Sequence, residues 1–199
     1  MSNPLPIIAG IVLLLLVLSS PEKGPGNSVN PFSSPTCKLG EVPHNYMVDL
    51  PTSWRQKNYG PSCVWATTIS LLRAQGLFEE ADWIRQNRSG GAYPSLLNST
   101  LDKLRVPYVY TTDGDTRVLE YALKTNRGCL IGYGPYHATM LVGKQNGQAI
   151  ILDNNHVTRY TKLPWDEFVS RWKRCPPEGG WACVIVSNKT APYPEVPKL

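Results

Sequence analysis

The periodicity of the apolar residues changes along this chain, and that change limits the folds open to it. Cys63 to Ala74 (CVWATTISLLRA), Phe78 to Gln86, Leu96 to Leu104 and Arg117 to Lys124 carry apolar residues at helical spacing. Gly76 follows the first as a stop signal, and Ser95 is placed to N-cap the third. Val106 to Thr111 (VPYVYT) reads as a short strand, with Pro107 suiting a sheet edge. Beyond Gly128 the runs become short and strand-like: Cys129 to Tyr133, Ala138 to Val142, Ala149 to Leu152 and, last, Trp181 to Val186. Asn146-Gly147 sits between two of them, a strong hairpin signal. Trp165 to Trp172 returns to helix. Helices first and strands mostly afterwards predicts an α+β domain, its helices packed against a small antiparallel sheet.

That domain is expected over residues 48–187, and the flanking composition differs sharply. Ile7 to Leu18 (IIAGIVLLLLVL) is purely apolar apart from glycine. Within residues 1–20 it reaches the lower length limit for a membrane-spanning helix and also fits the apolar region of a secretory signal. Met1 to Pro6 contains no Lys or Arg, so an uncleaved N-terminal hydrophobic helix acting as a single-pass anchor is favoured over a cleaved signal. Residues 21–47 are rich in Pro, Gly, Ser and Asn, a linker composition, and residues 188–199 form a proline-rich tail. The net charge of +5 is spread thinly, without a basic block or an aromatic-basic ladder. This argues against nucleic acid as a partner. Lys23, the first positive charge, follows the apolar run and weakly favours a cytoplasmic body.

Five cysteines are present, with no CxxC pair, and the three histidines lie at no zinc-like spacing from them. Cys63 differs from the rest because it follows Gly60-Pro61-Ser62 and opens a helix. Unpaired N–H groups and the positive end of the helix dipole favour a thiolate there, and the thiolate is the nucleophile. A nucleophile needs a base. His44 lies at the linker edge and His156 in a loop, whereas His137 begins the apolar run HATMLVG. If that strand pairs with the next through Asn146-Gly147, the start of one faces the end of the other. Asp153 or Asn154 then lies at the same sheet end as His137 and can orient its ring. A developing oxyanion needs donors. The backbone N–H of Cys63 is one; Gln56, with a longer reach than Asn58, is the candidate side chain.

Trp54-Arg55-Gln56 and Gly60-Pro61-Ser62-Cys63-Val64-Trp65-Ala66 together resemble the papain-like cysteine peptidase signature. The later segments are closest in pattern to bacterial double-glycine leader peptidase-like domains. There a strand begins with His and runs to Val-Gly, as His137 to Gly143 does, and the next ends in Asp, as Ile151-Leu152-Asp153 does. A helix ending in Trp and a closing apolar strand follow, here Asp166 to Trp172 and Gly179 to Val186. The resemblance covers about Pro51 to Val186. It implies a papain-like fold with Cys63 as nucleophile, His137 as general base and acid, Asp153 as orienting group and Gln56 as oxyanion donor. Gln56 lies one residue further from the cysteine than is usual in the family.

The function expected is therefore a membrane-tethered thiol peptidase acting on peptide or protein substrates, with no metal or organic cofactor needed. The competing reading is a non-catalytic papain-like domain, an anchored accessory or structural subunit of a membrane or virion assembly. Cys175 and Cys183 flank a Pro-Pro-Glu-Gly-Gly-Trp-Ala loop and would suit a disulfide outside the cytoplasm. That expectation opposes the charge argument for a cytoplasmic body. Trp165, Trp172 and Trp181 are read as core and sheet-packing residues rather than a ligand platform.

Overall fold

The computed structural model describes residues 45–187 apart from residues 49 and 178. The apolar segment, His44, Cys37, most of the linker and the tail lie outside the described residues. Among the described residues no helix is long and apolar enough to cross a membrane.

The domain is α+β, with five helices and an antiparallel sheet. The helices are α1 (Cys63–Ala74), α2 (Phe78–Asn87), α3 (Pro94–Lys103), α4 (Thr116–Lys124) and α5 (Trp165–Lys173). The strands are β1 (Asn45–Met47), β2 (Tyr108–Thr111), β3 (Cys129–Gly132), β4 (Ala138–Gln145), β5 (Gln148–Leu152), β6 (Tyr160–Pro164) and β7 (Ala182–Ile185). Six strands run in the order β2-β7-β3-β4-β5-β6, and β1 pairs with β4 at Gly143 to Gln145, beyond the stretch that β3 occupies. The sheet thus begins at Asn45, inside the tract read as linker.

Two local differences from the sequence expectation have simple causes. Helix α3 starts at Pro94 rather than after Ser95, because a first-turn proline needs no N–H donor and already has helical φ. β6 is an edge strand with only Leu163 buried, too weak an apolar signal to read from sequence.

The sheet is covered on both faces. On the front, α1, α2 and α3 bury Trp65, Leu71, Leu72, Ile84, Leu97 and Leu101 against Leu130, Met140, Ile150 and Leu152. On the back, α4 and α5 bury Leu119, Leu123, Phe168 and Trp172 against Ile131, Leu141, Ile151 and Val184. Successive residues of β5 alternate faces: Ala149 back, Ile150 front, Ile151 back, Leu152 front. This explains why the central strands read as continuous apolar runs rather than alternating ones, since neither face meets water. At the tip of the β4–β5 hairpin, Asn146 and Gly147 have φ of 49° and 73°, the paired left-handed conformation that Asn-Gly adopts readily in a tight hairpin.

Candidate active site

Cys63 is the first residue of α1, buried to 8% relative exposure. Its Sγ accepts the backbone N–H of Ala138 at 3.4 Å and that of Val64, the next N–H of the helix start. Helix-terminal N–H groups have no intrahelical partner, so they are free to solvate a thiolate.

His137 stands one residue before β4, at the end of a tight turn in which its N–H donates to the Gly134 carbonyl at 3.2 Å. Tyr136, inside that turn, holds φ at 52° and is 81% exposed. A left-handed tyrosine is uncommon. It delivers His137 to the strand start while leaving its own ring at the rim of the site. Asp153 stands one residue after β5, and its Oδ1 lies 3.0 Å from His137 Nε2. On its other side the His137 ring faces Cys63, close enough that each shifts the other's titration. With Nε2 engaged by Asp153, Nδ1 is the nitrogen left for the thiol. The backbone N–H of Asn155 donates to the same Asp153 oxygen at 2.8 Å and fixes the carboxylate.

Electrostatics follow from this chain of bonds. The hydrogen bond to Asp153 and then the interaction with Cys63 raise the His137 pKa to about 9, against desolvation. Asp153 is held below the ordinary carboxylate value by its bond to His137. For Cys63 the largest single influence is burial, which raises the thiol pKa. His137, through its ring and its charge, and the N–H groups of Ala138 and Val64 together outweigh it, and the net shift is downward. Thiolate and imidazolium therefore favour one another.

Asn154, the alternative orienting residue, points elsewhere: its amide donates into the protein, and Asp153 alone reaches the ring. His156 is exposed in the following turn. Gln56 is not brought to the thiol. Its side-chain amide donates to the Lys57 carbonyl at 3.2 Å, and it lines a separate small cavity with Thr67 and Ser70. The cause is the loop's anchorage. Arg55 binds the carbonyls of Leu50 and Val157 and the Tyr160 hydroxyl, and the Gln56 N–H binds Ser70 Oγ. Ser70 is seven residues, about 10 Å, along the helix from Cys63.

Cys63 and His137 open onto a cleft of about 400 Å³. It is lined by Pro61, Val64 and the Gly91-Ala92-Tyr93 loop, together with Gly132, Tyr136, Pro176, Pro177 and Trp181. Apart from His137, none of these described lining residues is an acid or a base of the Asp, Glu, Lys, Arg or His kind. Sequence reasoning missed these walls. The Gly90-Gly91 and Pro176-Pro177 pairs are loop punctuation in the sequence, but only folding brings the two loops to one cleft at Cys63. Trp181 packs in the front core, as expected, and also faces the cleft; Trp172 is fully buried and its Nε1 donates to the Trp181 carbonyl at 2.8 Å. Trp165 is half-buried and packs on Phe168.

The expected Cys175–Cys183 disulfide is absent. Both are free thiols: Cys175 Sγ accepts the Gly134 N–H at 3.0 Å, while Cys183 sits in β7 facing the front core. Among the described residues no group of three or more His, Cys, Asp or Glu side chains is placed to hold a metal ion. No protein-family model matches the chain, and the comparison with curated proteins gives no match.

Proposed function

We propose that the domain is a papain-like thiol hydrolase, a cysteine peptidase or a related amidase, that cleaves peptide or amide bonds. The observation carrying this reading is the continuous chain from Cys63 through His137 to Asp153, opening onto a cleft. The Cys63 thiolate attacks the substrate carbonyl. His137 gives its proton to the leaving amine, forming an acyl-enzyme, then takes one from the water that releases the acid. The Cys63 backbone N–H at the helix start is the oxyanion donor of this scheme. Because the described residues of the cleft walls, His137 apart, offer no counter-ion, a charged substrate side chain against them would lose hydration without compensation. Neutral, apolar or aromatic groups beside the scissile bond are the substrate class we assign.

Cleavage of a peptide library by the fragment beginning at residue 45 tests this. Cleavage abolished by Cys63→Ala, with neutral apolar side chains preferred over Asp, Glu or Lys by at least about tenfold, is the expected result. A wild-type fragment that cleaves nothing, and whose Cys63 alkylates no faster than a free cysteine, sinks the reading.

One observation favours the second reading, an anchored accessory domain without catalysis: no side-chain amide of the described residues lines the cleft to assist the oxyanion. The alkylation rate of Cys63 separates the two. In both readings residues 1–20 tether the domain to a membrane, which carbonate extraction of the full chain from cells would test; release into the soluble fraction would remove the tether.

A further inference from the structure

Asn154 is 4% exposed, and its side chain lies between the two elements that carry the thiol and the imidazole. Its Nδ2 is 2.9 Å from the Cys63 carbonyl oxygen, 2.8 Å from the Ala138 carbonyl oxygen and 2.8 Å from Thr67 Oγ1. Carbonyl oxygens can only accept, so the amide nitrogen must face them, and the orientation of the side chain is fixed by chemistry. One carbonyl belongs to the nucleophile's own residue and the other to the residue after the base. Asn154 Oδ1 is buried and has no hydrogen-bond partner among the described residues. A residue serving stability alone gains little from an orphaned buried oxygen. The backbone carbonyl of Asn154 accepts from Asn58 N–H at 2.8 Å, so the loop leading to Cys63 is tied to the same residue.

We propose that Asn154 is a positioning residue, whose amide joins the start of α1 to the start of β4 so that Cys63 and His137 are held as one pair. This rests on the reading of those two as nucleophile and base. It separates the roles of two adjacent residues. Asp153 orients the imidazole ring from behind, and Asn154 sets the distance between the backbones that carry ring and thiol. Neither could replace the other, because an aspartate at 154 would set a carboxylate against two carbonyl oxygens.

The test is the pH profile of Cys63 alkylation by iodoacetamide, read by mass spectrometry on folded protein whose integrity is checked by near-UV circular dichroism. His137 is the ionisable group against the thiol, with Asp153 behind it and His156 acting on Asp153. In wild type the midpoint should lie below that of a free cysteine. In Asn154→Ala it should rise by about one pH unit, with alkylation at pH 6 slowed about tenfold, as the thiol–imidazole bond lengthens. Asn154→Ser keeps one short donor and should fall between the two; it also decides the matter if the alanine variant does not fold. A wild-type profile in a folded Asn154→Ala or Asn154→Ser overturns the positioning role and leaves the catalytic reading standing. An ordinary thiol midpoint in the wild type overturns the catalytic reading itself.

Discussion

Cys63 and the sheet cysteines Cys129 and Cys183 are all buried, yet their chemistry is opposite. Cys129 and Cys183 are 0% and 2% exposed, and burial pushes the first thiol well above its ordinary pKa and the second to about 12. Cys63 is 8% exposed; burial raises its pKa too, though less completely, and it still falls below the ordinary value. The difference lies in what the backbone leaves available. Inside β3 and β7 the backbone N–H groups are engaged by neighbouring strands, and the one backbone contact that favours the Cys129 thiolate, from Cys183, does not offset burial. At the first turn of α1 the N–H groups are unclaimed, and β4 adds the Ala138 N–H and the His137 ring. Its partners, acting against burial, bring the Cys63 thiol down.

The contrast between these thiols fails if the wrong one matters. Cys63→Ala should reduce hydrolysis by about 10⁴-fold or more, while Cys129→Ala should leave kcat/KM within about twofold. Steady-state rates on a peptide from the library screen would settle this. Next in size is a change on the back of the sheet, far from the thiol. Leu119→Ala should destabilise the domain by about 3 kcal/mol in chemical denaturation, because a fully buried leucine leaves a cavity. The Cys63 alkylation profile of the folded variant should not move.

Asp153→Asn probes the same contrast more finely, by weakening a partner without removing the base. A loss of about 10²-fold in kcat/KM is expected. The pH limb carries the more specific signature. His137 keeps its proton up to about 9, so wild-type kcat/KM should fall as pH rises through that value. Without Asp153, its strongest partner, the limb should move down toward the ordinary imidazole value of about 6.5. The smallest effect is on stability in acid. Asp153 titrates below its ordinary value, so its contribution is present at neutral pH and lost as pH falls through the folded pKa. The gap in unfolding free energy between wild type and Asp153→Asn should narrow on acidification.

The legible part of the site is the local part. The β4–β5 hairpin has a two-residue turn, and a turn of that length restricts which residues can face each other. Asn146-Gly147 therefore places His137 and Asp153 at one end of the sheet through local pattern, while a register shift between Leu141 and Gly143 sets which residues finally face each other. Helix α1 matches its expected limits, Cys63 to Ala74, because a glycine-proline loop precedes it and Gly76 stops it. The Gln56 loop is not legible in this way. Its course depends on Arg55 reaching Val157 and Tyr160, more than a hundred residues away, and that contact draws the glutamine away from the thiol. The disulfide fails for a similar reason: closeness in sequence across a loop says nothing about which face of β7 Cys183 occupies.

The helices, the central strands, the helix-opening Cys63 and the placing of His137 and the Asp153-Asn154 pair at one sheet end are all written in the chain itself, because each depends on periodicity, caps or a short turn; which of that pair meets the imidazole is settled by the tertiary contacts. Tertiary packing alone sets helices on both faces of the sheet, turns Asn154 inward to join α1 to β4, and makes the Gly91 and Pro176 loops the walls of a cleft around Cys63. Those features come from contacts between residues far apart in the chain, whose geometry no local pattern carries.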